Sequence, residues 1–209
     1  ADGKPNGAIK SFLDMISTLY GQFPATHVVF AWDDDWRPQW RVDLIPTYKS
    51  HRVTSVEDDG QAHTDMPDAL SIQVDAIAEL LDAIGLPRIG QEGFEADDIL
   101  GSLVSQMNFP ADVVSGDRDL LQLVDDSRQI RMVSITKGIR NLEVMTDDAM
   151  MTKYGVAGHQ YADFALLRGD SSDGLPGVRG IGEKSATALI AQFGNLDALI
   201  AALDDDNSD

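Results

Sequence analysis

Cysteine is absent from the 209 residues, which excludes a disulfide framework and any thiolate-bound zinc or iron–sulfur centre. The four histidines, His27, His51, His63 and His159, are scattered without ligand spacing. A metal held by this chain therefore has to be taken by oxygen, which leaves Mg²⁺ or Mn²⁺. Bases are scarce as well: 16 Lys and Arg stand against 35 Asp and Glu, a formal net charge of −19. That total argues against a nucleic-acid partner, because the usual footprint of one is a basic face that releases counterions from phosphates. The few bases are uneven, however. Arg37, Arg41, Lys49 and Arg52 crowd one short region, and Arg168, Arg179 and Lys184 another, so a local positive track on an acidic body is compatible with the total. No apolar run approaches the roughly 20 residues of a membrane span. No basic start with a small-residue cleavage site marks a secretory signal. A cytoplasmic location without a membrane partner is expected.

What is present is enough apolar sequence for a substantial core, 43% of residues, and a length that favours one or two domains. Residues 8–20 have the spacing of an amphipathic helix, and the continuous apolar run 27–32 suits a strand of a parallel sheet covered on both faces. Residues 53–67 are polar, with Gly60 and no apolar period, and read as a mobile connection. Leu70, Val74, Ile77, Leu81 and Ile84 step by four and three, one face of a helix ending near Gly85. A further helix starts at about Phe94, a short buried strand covers 111–115, and 129–135 with 139–144 read as two strands turning at Lys137-Gly138. From Thr146 onward the pattern is helical, broken at 174–182. The order predicts an α/β fold: a central, mostly parallel sheet flanked by helices over residues 1–145, then a helical region over 146–209. In such folds the sites lie at the carboxyl ends of strands.

Acid recurs at those ends. Asp33-Asp34-Asp35 follows the apolar run, Glu95, Asp97 and Asp98 open a helix, Asp117 and Asp119 follow the strand at 111–115, and Asp170 and Asp173 lie in Arg-Gly-Asp-Ser-Ser-Asp-Gly. Each has a plainer reading. The first is a polar loop, the second a set of carboxylates favoured by a helix dipole, the last a helix end and turn. At the third, Gly116 reads as letting the backbone come close to something. Four plain explanations would have to hold together. Carboxylates gathered at one sheet edge would require cations. Two hard ions about 4 Å apart activate water and neutralise a phosphate between them, the chemistry of phosphodiester hydrolysis. Arg41, Lys49 and Arg52 are candidates for holding that phosphate, against the plain reading of a solvated charged loop. In residues 174–186, GLPGVRGIGEKSA, the glycines Gly177, Gly180 and Gly182 permit a tight turn into a helix at about Glu183. Its outward N–H groups would bind an anion, with Lys184 and Ser185 beside them.

Taken in order, WRPQWRVDLIPTYKSHR (36–52), GFEADDILGSL (93–103), VVSGDRDLLQLV (113–124) and ALLRGDSSDGLPGVRGIGEKSA (165–186) resemble the 5′-nuclease superfamily. That superfamily comprises the flap endonucleases and the 5′→3′ exonuclease domain of bacterial DNA polymerase I. The resemblance spans nearly the whole chain, and several such strings in one order are far more specific than any lone motif. It implies a PIN-like nuclease fold with a helical arch at about 36–67 and a helix–three-turn–helix at about 165–193. It implies Glu95, Asp97, Asp98, Asp117, Asp119, Asp170 and Asp173 as metal ligands, the last pair for a second ion. Counting back from Trp40-Arg41, where the family has Phe-Arg, an early ligand falls on Asp34, whereas the end of the apolar strand points to Asp33. Tyr48-Lys49-Ser50-His51-Arg52 resembles the family's Tyr-Lys-x-x-Arg, implying Lys49 and Arg52 at the scissile phosphate. Arg41, Tyr48, Gly177, Arg179, Gly180, Gly182, Lys184 and Ser185 are implied to contact DNA, and K⁺ to bind main-chain oxygens of the helix–three-turn–helix. The partner implied is DNA with 5′ flaps, nicks or branches, met by a monomer.

Two departures bear on activity. The family opens with a strand ending in a metal-binding aspartate upstream of where this sequence starts, so either the sequence is trimmed or that ligand is missing, which would weaken the metal site. Gly174 stands where the family often has Asn. Alternatives to a metal-dependent structure-selective nuclease are a protein that binds branched DNA without cutting it, and a hydrolase of small phosphate esters.

Overall fold

The period of apolar residues predicts the first helix closely: α1 (Gly7–Gln22) turns Phe12 toward Phe30, ring centroids 5.8 Å apart. This computed structural model describes residues 5–53, 55–56, 62–63 and 68–206. It divides into two compact units, one formed by the chain up to Pro46 with Ser50–Ile99, the other by Thr47–Lys49 with Leu100 onward.

In the first unit the apolar run at 27–32 yields only a short strand, β1 (Phe30–Ala31), because only those residues find a parallel partner. Next comes α2 (Gln39–Leu44), entered from Pro38, whose fixed φ suits a helix start. After a 3₁₀ turn at Ser50–Arg52, β2 (Ser55–Val56) and β3 (Ala62–His63) form an antiparallel pair. The rest of the stretch read as a mobile connection, 54, 57–61 and 64–67, lies outside the described residues. Helix α3 (Asp68–Ala83) packs on α1 and buries Ile77 and Leu81 of its predicted face, while Leu70 and Ile84 at the ends of that face are exposed; its Gln73 Oε1 accepts the Ala8 N–H at 2.8 Å. The chain reverses at Gly85 into β4 (Arg88–Ile89), the partner of β1 in register Phe30↔Arg88 and Ala31↔Ile89. Helix α4 (Ala96–Gln106) begins here and continues into the second unit.

The second unit is built on β5 (Ala111–Ser115) and β6 (Ile130–Ser134), parallel in register Val113↔Met132, with β7 (Glu143–Met145) antiparallel to β6. The expected turn at Lys137-Gly138 lies between β6 and β7, but residues 139–142, expected to belong to the second strand, precede it, and β7 begins only at Glu143. Helices α5 (Asp147–Tyr154), α6 (Tyr161–Arg168), α7 (Glu183–Phe193) and α8 (Leu196–Asp206) follow, α5 capped by the Thr146 side chain, which accepts from Ala149 N–H. One core joins them: Met132 and Met145 from the sheet, Met150, Phe164 and Leu167 from α5 and α6, and Ile190 from α7. The α/β class and the helical C-terminal region are as expected, but among the described residues the sheets are small, of two, two and three strands. Among those residues no single helix is long and apolar enough to cross a membrane.

Candidate functional site

The four acid clusters fall two to a unit: 33–35 and 95–98 in the first, 117–119 and 170–173 in the second. In the first unit, β1 passes into Trp32, whose N–H bonds Ile89 O, and then into the aspartates. Asp34 lies over Gly90, where a Cβ would come 2.3 Å from Asp34 Oδ2; Asp35 accepts the Arg37 N–H at 3.1 Å. At the start of α4, Glu95 is 4% exposed. Its N–H is capped by Asp98 Oδ2 at 3.0 Å, and Asp97 sits in the helix's first turn. The dipole reading of this cluster is thus partly right, since Asp98 does cap the helix. It omits Arg41, which binds Glu95 Oε2 at 2.5 Å through Nη1 and takes Asp98 with both terminal nitrogens. Arg52 lies in the 3₁₀ turn, exposed.

In the second unit, the end of β5 is organised by short-range caps. Ser115 Oγ accepts Asp117 N–H, and Asp117 Oδ1 accepts Asp119 N–H at 2.9 Å as the 3₁₀ turn Arg118–Leu123 begins. Gly116 does not mark a close approach, because a Cβ there would make an ordinary 3.7 Å contact with Ile135. The loop after α6 is closed by paired backbone bonds, Asp170 N–H to Leu175 O and Leu175 N–H to Asp170 O. Asp170 Oδ1 accepts from Ser172 N–H and hydroxyl, while Oδ2 faces Arg118 and Arg168, each at 3.4 Å. Burial acts to raise the Asp170 carboxyl, but the Ser172 bonds and the two guanidinium groups together carry it below the usual range. Asp119 goes the other way, pushed up to about 6 by burial first and then by Asp117, Asp173 and Asp170, with Arg118 opposing. Asp173 is buried, and its carbonyl accepts the Lys49 N–H at 3.0 Å.

That bond explains where Lys49 stands. It adopts a left-handed backbone, φ 46°, and is 8% exposed, with its Nζ 5.1 Å from the Tyr48 ring centroid. Thr47 Oγ1 donates to Gly174 O at 3.0 Å. Gly174 has φ +76°, and a Cβ there would come 2.3 Å from Thr47 O. The glycine that stands in place of the family's Asn is what lets the Thr47–Lys49 segment sit on the 170–175 loop.

The glycine-rich stretch places Gly177 at φ +66° and enters α7 from Gly182, with no side chain capping the helix start. Arg179, Gly180, Gly182, Lys184 and Ser185 are exposed. Three participants escaped sequence reading. Ser172 carries no pattern of its own, Trp40 stands where the family has an aromatic before arginine without a role implied for it, and Arg118, between two candidate aspartates in Asp-Arg-Asp, was findable as their neighbour.

Among the described residues no three Asp, Glu or His side chains form a ready-made metal cage. The donor chemistry nonetheless fits a hard divalent ion. All candidates are carboxylate oxygens, and the crowding that raises Asp119 is what a bound cation would relieve.

Residues 1–155 match the family described as 5′-3′ exonuclease, N-terminal resolvase-like domain, and residues 156–209 the 5′-3′ exonuclease C-terminal SAM fold. The chain is 50% identical over 204 residues to a 5′-3′ exonuclease of Streptomyces coelicolor, covering 98% of this chain and 68% of that protein. It is 46% identical over 211 residues to a 5′-3′ exonuclease of Mycobacterium tuberculosis, covering 98% and 66%. With a DNA polymerase I of Mycobacterium tuberculosis it shares 37% over 205 residues, covering 97% of this chain but 21% of the polymerase. The fold resembles zinc-bound T5 5′-exonuclease, TM-score 0.70 at 23% identity, covering 97% of this chain and 73% of that one. It also resembles the catalytic core of Rad2 in complex with DNA substrate, TM-score 0.54 at 19% identity, covering 100% and 59%. An α/β body with acid-ended strands, followed by a glycine-rich helical region, is the architecture of a 5′ nuclease. The chain belongs to the 5′-3′ exonuclease family, and spans about two-thirds of the length of the free-standing relatives it matches.

Proposed function

We propose that this chain is the nuclease part of a structure-selective 5′ nuclease, a 5′ flap endonuclease and 5′→3′ exonuclease. Its substrates are phosphodiester bonds of nicked or branched DNA, hydrolysed by a monomer with two or more Mg²⁺ or Mn²⁺ ions. What supports this reading is the family match over residues 1–155 and 156–209 together with the gathering of Asp117, Asp119, Asp170 and Asp173 in the second unit, where burial and then those neighbours push the Asp119 carboxyl up to about 6. Such a group costs stability unless a cation joins it. Glu95, Asp97, Asp117, Asp119, Asp170 and Asp173 serve as ligands, together with one of Asp33 and Asp34. When bound, the ions supply activation of water and neutralisation of the phosphate.

The chain's own residues do the rest. Lys49, fixed by its backbone bond to Asp173, presents a point charge to the phosphate. Arg52, exposed after it, supplies a planar guanidinium suited to two phosphate oxygens. The uncapped start of α7, with Gly180, Gly182, Lys184 and Ser185, binds the duplex backbone through N–H groups. Arg179 adds charge, and K⁺ binds main-chain oxygens nearby. Contacts of this kind position DNA without reading its bases, so selectivity comes from shape.

The test is cleavage by the full-length protein of a 5′-flapped duplex, the same duplex with a 3′ flap, and an unbranched duplex. Cutting at the 5′ flap junction that falls on changing Lys49→Ala is the expected result. Equal cutting of the 3′ flap would overturn the proposed selectivity.

A further inference from the structure

Asp98 shares a helix turn with Glu95 and Asp97, yet its two oxygens are already employed. Oδ1 accepts Arg41 Nη2 at 2.7 Å, and Oδ2 accepts both Arg41 Nη1 at 2.9 Å and the Glu95 N–H at 3.0 Å. The same Nη1 reaches Glu95 Oε2 at 2.5 Å. Arg41 is itself fixed from a second direction. Its guanidinium carbon stands 4.6 Å from the Trp40 ring centroid, and Trp40 Nε1 donates to Gly93 O at 3.0 Å, with Phe94 6.4 Å from the Trp40 ring. The planar fork is thus set by a carboxylate and an indole, and its Nη1 also holds Glu95, which is 4% exposed.

We infer that Asp98 and Arg41 are positioning residues for Glu95: the Asp98 fork orients Arg41, and Arg41 in turn sets the carboxylate of Glu95 for a divalent ion. This revises the expectation that Asp98 is itself a ligand and that Arg41 serves DNA. It rests on the reading of Glu95 as a ligand. Lysine cannot replace Arg41 here, because a single ammonium cannot bond both Asp98 oxygens and Glu95 in one plane. Partners that orient a metal ligand change metal affinity by about 10- to 100-fold when removed.

The experiment is calorimetric titration of the full chain with Mn²⁺ in the absence of DNA, following the binding step that Glu95→Gln removes. Arg41→Lys, which keeps the charge and loses the fork, is expected to weaken that step about 10-fold or more, and Asp98→Asn to a similar degree. In the double variant the losses should not multiply, because both act through one fork. Trp40→Leu, which changes no charge, should weaken binding in the same direction and serves if Arg41→Lys fails to fold. Multiplying losses would mean that Asp98 contacts the ion independently, and unchanged or tighter binding in Arg41→Lys would mean that Arg41 is idle or a competitor. Either overturns the inference while leaving Glu95 as a ligand. No effect of Glu95→Gln would overturn the ligand reading and the inference with it.

Discussion

Replacing Gly177 by alanine should be the most damaging of three similar-looking changes in the glycine-rich stretch. Gly177 has φ +66°, and a Cβ there would lie 2.5 Å from Gly169 N and 2.6 Å from Arg168 C, both backbone atoms. The left-handed backbone costs an L-residue about 1 kcal/mol or more, and forcing two backbones apart adds roughly 1–3 kcal/mol. The total, about 3 kcal/mol, corresponds for a protein of this size to a melting temperature lower by roughly 6–12 °C. Gly180, at φ +85° with open space around it, carries only the backbone strain, about 1 kcal/mol. Gly182 has φ −101° and open space, so its alanine variant should melt within about 2 °C of the parent, the loss at a cap offset by a stiffer unfolded chain. Thermal unfolding followed by circular dichroism ranks the three. Gly177→Ala melting with the parent, or Gly182→Ala falling as far as Gly177→Ala, would refute the close approach of residues 177 and 169.

Gly174→Ala should displace the Thr47–Lys49 segment by a clash with Thr47 O, lowering cleavage on the order of 10- to 100-fold while calorimetry shows unchanged Mn²⁺ affinity. Raised from 3.8 to about 6, Asp119 binds its proton more tightly in the folded chain than in the unfolded one. In chelator, stability should therefore fall as pH rises from about 4 through about 6. Added Mn²⁺ should restore it above pH 6, and Asp119→Asn should flatten the dependence, all readable as melting temperatures.

The long helices α1 and α3 were legible because apolar residues repeat at helical spacing along them, and the strand at 111–115 was legible from its adjacent valines, although only Val113 is buried and Val114 is exposed. Two-residue strands were not. Arg88–Ile89, between Pro87 and Gly90, repeats nothing, and its pairing with Phe30–Ala31 is decided across 58 positions of chain. Helix α2 was hidden in a basic stretch, although Pro38 before it was a usable signal. Of the candidate site, residue types and order were readable, the 170–175 loop being marked by Asp170 and Asp173 and the stretch after it by its glycines. The Arg41 network was not, because nothing in GFEADD says that an arginine 54 positions earlier occupies two of its carboxylates. Nor does a list of aspartates tell Asp170, neutralised by arginines and Ser172, from Asp119, left crowded.

The central claim, that these carboxylates hold divalent ions for phosphodiester hydrolysis, is tested most directly by timing cleavage of a 5′-flapped duplex by the full-length protein in Mn²⁺ and in chelator, with Asp119→Asn beside the parent. Cleavage that requires the ion and drops at least about 100-fold in the variant is predicted. Cleavage that persists in chelator, or that Asp119→Asn leaves intact, would contradict it.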